Sequence, residues 1–309
     1  MREAFIKALT EVADKNNSVL LLTADLGHGV IEMFQKKFPA RFINMGVAEA
    51  NMIAVAAGLS LSGKTPVTYS ISTFTTMRCY EQIRNDVCLQ NTKVVIVGVG
   101  GGLHYGAAGP THHALEDIAI MRALPNMTVL CPSGPKEAYA LTKLAVKYKG
   151  PIYLRLGKSG DKEIYNKTPK LKIGKGVVLR KGKDVCLFAT GSMVSTALSV
   201  SDGLKKRKIN ASVVNIHTIK PLDQKLILDF AKKTRNIYSL EEHHVIGGLG
   251  SAISEVLAES KLKNYNFKRI GIADIFCSIV GSQEYLQDIL SISFKKVAAF
   301  IIKDIKKHD

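Results

Sequence analysis

The chain mixes short runs of consecutive apolar residues with stretches in which apolar positions recur every three or four residues. Consecutive runs bounded by turn residues predict strands covered on both faces, and the three-and-four spacing predicts amphipathic helices. Phe5, Ala8, Leu9 and Val12 share one face of a helix expected over 2–16. Val19-Leu20-Leu21-Leu22-Thr23 predicts a buried strand, followed by a helix near 30–38 and a strand near 42–45. The run Ile53-Ala54-Val55-Ala56-Ala57-Gly58-Leu59 is apolar nearly all round, so a helix there is expected to be buried. A strand beginning at Pro66, a single helix over 72–89 entered by Ser/Thr caps, and a strand over 93–97 follow. A glycine-rich loop from Gly98 to Gly109 leads to a helix starting near Leu115, strands over 128–130 and 152–156, and a helix over 135–148 between them.

Residues 157–183 are rich in Lys, Gly and Asp and poor in apolar runs. A second series then begins, with strands over 185–190, 211–215, 237–240 and 269–272 and helices over 193–206, from Asp223, and opening at Gly247. Strands alternating with helices predict two doubly wound α/β domains with mostly parallel sheets. Their expected extents are 1–165 and 184–309, with a linker over 166–183.

Composition narrows the class. Hydrophobic content of 46% with 22% charged residues describes a folded globular protein. No apolar run is long enough to span a bilayer, and the N-terminus opens directly into an amphipathic pattern, so the cytoplasm is the expected location. The five cysteines form no C-x-x-C pair, which indicates neither a disulfide framework nor a zinc site and predicts reduced core thiols. The formal charge of +17 is spread along the chain and accompanies no nucleic-acid module; anionic small substrates and an acidic partner chain are the expected counterparts.

Candidate chemistry starts at Glu49, a carboxylate opening an apolar segment. It reads either as a buried acid or as a first-turn residue favoured by the helix dipole. Asp25, in Ala24-Asp25-Leu26 at the end of a predicted strand, stands where α/β sheets bind ligands and also where turns favour Asp. The glycine loop has no G-x-G-x-x-G running into a helix and no P-loop lysine, so its glycines point to tight turns or a close backbone approach.

Gly46-Val47-Ala48-Glu49-Ala50-Asn51-Met52, Ser72-Thr73-Phe74, Arg78-Cys79-Tyr80-Glu81-Gln82-Ile83-Arg84 and Gly109-Pro110-Thr111-His112 resemble the pyrimidine-binding half of transketolases and deoxyxylulose-phosphate synthases. His217-Thr218-Ile219-Lys220-Pro221-Leu222-Asp223 and Glu241-Glu242-His243 are similar to the transketolase C-terminal domain. The resemblance implies a thiamine-diphosphate enzyme that transfers a two-carbon ketol unit between sugar phosphates. It implies that Glu49 hydrogen-bonds N1′ of the aminopyrimidine and activates the cofactor, a task suited to a buried carboxyl that shares a proton. Phe74 is the implied stacking ring, with Tyr80 as the alternative; Leu26, Val47 and Asp25 would line the rest of the cofactor. His112 is implied to contact substrate and take part in catalysis, Arg78 and Lys158 to bind the substrate phosphate, and His104 and His113 to stand as weaker substrate candidates.

Two departures qualify this reading. Ala107 and Ala108 stand where most relatives carry an acid that contacts a sugar hydroxyl, so discrimination among sugars is expected to differ. No Gly-Asp-Gly followed by an Asn occurs, so the Mg2+ and diphosphate ligands are expected on another polypeptide. The resemblance thus implies the C-terminal subunit of a split transketolase, paired with an N-terminal diphosphate-binding subunit in an α2β2 hetero-oligomer. The alternatives are the β subunit of a 2-oxo acid dehydrogenase, a deoxyxylulose-phosphate synthase-like enzyme, and a non-catalytic partner-binding subunit.

Overall fold

A computed structural model describes residues 1–307. The strands are β1 Val19–Thr23, β2 Phe42–Asn44, β3 Thr65–Ile71, β4 Val95–Val99, β5 Thr128–Leu130, β6 Ile152–Leu156, β7 Val177–Arg180, β8 Val185–Ala189, β9 Ala211–Asn215, β10 Thr218–Lys220, β11 Asn236–His244 and β12 Asn266–Ile272. The helices are α1 Arg2–Lys15, α2 Glu32–Lys37, α3 Glu49–Leu61, α4 Ser72–Thr76, α5 Tyr80–Gln82, α6 Asp117–Ala123, α7 Pro135–Lys147, α8 Met193–Lys205, α9 Gln224–Ala231, α10 Leu249–Ala258, α11 Gln283–Ile289 and α12 Phe294–Ile305.

Seven strands form the first sheet in the order β10-β5-β6-β4-β3-β1-β2, and five form the second in the order β12-β11-β8-β9-β7. The first sheet is parallel except for β10, and the second is parallel except for β7. Side chains alternate across each strand, so consecutive apolar residues feed two cores at once. Leu20, Leu22, Val94 and Ile96 face the layer shared with Phe188, Val214 and Ile237 of the second sheet. Val19, Leu21, Val95 and Val97 face the opposite layer with α1 and α7. The outer face of the second sheet packs against α8 and α12.

Three expectations are corrected, and one strand is added to those expected. The stretch read as a linker contains β7, which joins the second sheet antiparallel to β9; its short Val177-Val178-Leu179 run at a sheet edge gives too weak a periodic signal. His217-Thr218-Ile219-Lys220 carries β10, an antiparallel edge strand that the second half of the chain adds to the first sheet. The single helix expected over 72–89 breaks after Thr76, and its last part, Ile83–Leu89, is wound wider than an α-helix. Thr76 Oγ1 bonds the Ser72 carbonyl at 2.6 Å and Cys79 Sγ the Phe74 carbonyl at 3.3 Å, so side chains take acceptors that a continuous helix would use. Finally, α3 is not buried all round: Asn51, Ala54, Gly58 and Leu61 form an exposed stripe along it.

Candidate active site

Parallel strands bring their carboxyl ends to one edge of the sheet. From β1 the chain moves outward to β2 and then returns past β1 to β3, so the order reverses at β1 and β3, the place where open α/β sheets form a crevice. The ends of β1, β3, β4 and β6 supply Asp25 and Leu26, the helix bearing Phe74, the glycine loop, and Lys158 respectively.

Glu49 is the first residue of α3 and is only 2% exposed. Ser70 Oγ donates to its Oε1 at 3.2 Å, and Arg78 Nη1 donates to its Oε2 at 2.6 Å. The break after Thr76 lets Arg78 turn back to this carboxylate. The Arg78 side chain is 48% exposed, and its guanidinium lies 4.7 Å from the centre of the Phe74 ring. Phe74 meets the His112 imidazole edge to face, with centroids 5.1 Å apart. His112 Nδ1 and Thr111 Oγ1 are 2.9 Å apart, Tyr105 stands 5.9 Å beyond, and Lys158 Nζ lies 4.4 Å over the Tyr105 ring. Burial, aided by His113 and Lys158, holds the His112 pKa below the usual imidazole value. Glu49, Arg78, Phe74, His112, Tyr105 and Lys158 therefore form one continuous wall.

The remaining expected residues stand outside this wall. Tyr80 donates its hydroxyl to the Ile120 carbonyl at 2.9 Å and packs on the core between the sheets, away from the Phe74 and His112 rings. His104 and His113 are not surface histidines. The His104 side chain, 5% exposed, faces Asp161 at 3.4 Å, and the buried His113 donates from Nε2 to the Gly106 carbonyl at 3.2 Å. Asp25 sits at φ 52, and its backbone and carboxylate both bond the Asn44 side chain at 3.0 Å, so it fastens the ends of β1 and β2. Leu26 is half-buried on the outer core, while Val47 is 74% exposed beside Glu49. Ala107 and Ala108 are exposed in the turn before Gly109.

Sequence reasoning missed Ser70, Thr111 and Tyr105. A hydroxyl two residues from Thr68 inside an otherwise apolar strand was the available signal for Ser70; nothing in the sequence marks Tyr105.

The fold and this edge define a two-sheet α/β protein with a buried carboxylate and an aromatic–imidazole wall at the strand ends. The model of the family "Transketolase, pyrimidine binding domain" matches residues 1–160, and that of "Transketolase, C-terminal domain" matches residues 174–296. The chain belongs to the transketolase family, whose members use thiamine diphosphate. It is 36% identical to the 6-deoxy-6-sulfo-D-fructose transketolase subunit SqwH of a Clostridium species, over 96% of this chain and 92% of that one. It is 38% identical to a 1-deoxy-D-xylulose-5-phosphate synthase of Geobacter sulfurreducens over 96% of its length, spanning 46% of that enzyme. A solved structure described as "Split gene transketolase, inactive beta4 tetramer" superposes with a TM-score of 0.90 at 38% identity, covering 98% of this chain and 97% of that one.

Proposed function

We propose that this chain is the C-terminal subunit of a split transketolase, transferring a two-carbon ketol unit between sugar phosphates once an N-terminal subunit completes the site. The observation that carries the reading is the Glu49 carboxylate, buried at the strand edge and held by Ser70 and Arg78 beside the Phe74 and His112 rings. A buried carboxyl next to an aromatic face fits an aminopyrimidine, which needs a partner for its ring nitrogen and a ring to stack on. When bound, thiamine diphosphate supplies the nucleophilic carbon of ketol transfer.

The chain's own residues then have separable tasks. Glu49 shares a proton with the pyrimidine N1′ through the oxygen that Arg78 otherwise holds, with Ser70 fixing the other. Phe74 takes the ring face, while Val47 and Leu26 confine the cofactor from the opposite side, with Asp25 fixing the turn that carries Leu26. His112, kept neutral by its surroundings and tied to Thr111, bonds a sugar hydroxyl. Lys158 and the half-exposed Arg78 draw in the anionic end of the substrate.

The reading assigns Mg2+ and the diphosphate to the partner, because the sequence lacks the motif that would bind them. The exposed stripe of α3 supports a partner chain, since it leaves an apolar helix beginning at Glu49 half uncovered. The relation to a transketolase subunit, and to a synthase of which this chain spans 46%, supports it further. An α2β2 assembly follows if the paired halves dimerise as one unit.

The test is ketol transfer by the reconstituted pair, with Glu49→Gln as the control. Loss of a positioned acid–base group predicts a fall in kcat of roughly a hundred- to ten-thousandfold, with pairing intact. A variant complex as active as the wild type would remove Glu49 from the chemistry.

A further inference from the structure

The loop that carries His112 is closed at its base and fastened to the second half of the chain. Gly102 and Ala114 exchange both backbone hydrogen bonds, at 2.9 and 3.0 Å, so residues 103–113 form a closed excursion holding His104, Tyr105, Thr111 and His112. The entry of this loop meets Glu242 of β11 directly, and its exit is linked to the same residue through Arg155.

At the entry, the Leu103 N–H donates to Glu242 Oε1 at 2.5 Å. At the exit, Arg155 Nη2 donates to the Ala114 carbonyl at 2.8 Å and to the Glu242 carbonyl at 3.1 Å, while Asp117 holds the same guanidinium. The Glu242 side chain is also gripped from the far side. Ser192 Oγ donates to Oε2 at 2.9 Å, Gln283 Nε2 lies 2.9 Å from both oxygens, and Gln287 Nε2 donates to Oε2 at 2.6 Å. Glu242 is 1% exposed, and no cationic side chain among the described residues forms an ion pair with it.

A buried carboxylate answered only by neutral donors is costly unless every donor is in place. The arrangement therefore couples the Leu103 backbone to the starts of α8 and α11. Gly102 shows how close the coupling is: it sits at φ +73, and a Cβ there would lie 2.5 Å from Glu242 Oε1. Gly281, just before α11, adds a backbone bond to the Gly106 carbonyl at 3.4 Å.

We propose that Glu242 is a positioning residue: acting through the Leu103 backbone, it holds the 103–113 loop so that His112 stays against Phe74, and it thereby sets affinity for the sugar. This rests on the reading in which His112 contacts substrate.

The experiment compares wild type with Glu242→Gln, which keeps shape but turns an N–H2 group toward existing donors. Backbone hydrogen exchange over 103–113 is measured on the chain, and KM, kcat and bound cofactor on the reconstituted complex. Expected are exchange faster by about tenfold within the loop and a KM for the sugar raised about tenfold, the equivalent of one charge-assisted hydrogen bond. Cofactor content and exchange in α3 and β3 should stay at wild-type values, which a general loosening of the structure would not allow. If Glu242→Gln does not fold, Gln287→Ala, which removes one donor, should shift both quantities the same way by less.

Unchanged loop exchange overturns the clamp. Faster exchange with an unchanged KM in an active complex overturns its role in sugar binding. A wild-type complex without ketol transfer overturns that role together with the functional reading, while loop exchange still reports the clamp itself.

Discussion

Acidification should act on the folded chain through His243. Its imidazole is fully buried and satisfied only as the neutral ring: Nδ1–H donates to the His244 carbonyl at 2.7 Å, and Nε2 accepts the Ala119 N–H at 3.3 Å. A second proton would set an N–H against that Ala119 N–H. Burial lowers the pKa from 6.5 to about 4; Asp117 favours the proton and Arg155 opposes it.

A group whose folded pKa is depressed contributes stability that is present above its unfolded value and lost as pH falls toward its folded one, here between 6.5 and about 4. At pH 5 the unfolded chain has taken this proton and the folded chain has not, a loss of about 2 kcal/mol relative to pH 7.5. Glu241, raised to about 7 by burial, works oppositely over the same window, so the measurement must be a difference. Urea unfolding of wild type and His243→Gln at pH 7.5 and pH 5 provides it, because glutamine can accept the Ala119 N–H without titrating. The stability advantage of wild type over the variant should shrink by about 2 kcal/mol on acidification. Parallel pH dependences would refute the argument.

Two further outcomes follow from the same geometry. Phe74→Ala should weaken cofactor binding by the reconstituted complex, whereas Tyr80→Phe should leave cofactor binding unchanged and cost about 1 kcal/mol of stability for the lost bond to Ile120; calorimetric titration and urea unfolding separate the two. Ala54→Glu, on the exposed stripe of α3, should leave the fold and urea midpoint of the isolated chain intact and abolish pairing with the N-terminal subunit in sedimentation.

Much of this arrangement was legible because it rests on local signals. Runs such as Val19-Leu20-Leu21-Leu22 read as strands because both faces of a parallel sheet are covered, and the motifs around Glu49 and His112 named residues that the fold brings to one strand edge. What escaped depended on contacts distant in sequence. The strand at Thr218–Lys220 is defined by a sheet from the other half of the chain, and the Tyr80 and Phe74 rings were separable only by what each touches. The exposure of α3 escaped for another reason: an apolar helix implies burial, but not that the same chain provides the cover. The charge of Arg155 inside an apolar strand, and the role of Glu242 within its motif, depend in the same way on distant partners, because a buried charge requires a built partner set.

On the proposed function, the site at Glu49 is completed by another chain. The most direct test is native mass spectrometry of this chain mixed with the N-terminal transketolase subunit, thiamine diphosphate and Mg2+. The expected result is a hetero-oligomer containing both chains and one cofactor per pair, with no cofactor retained by either chain alone. A homo-oligomer of this chain that retains the cofactor, or no association between the two chains, would contradict it.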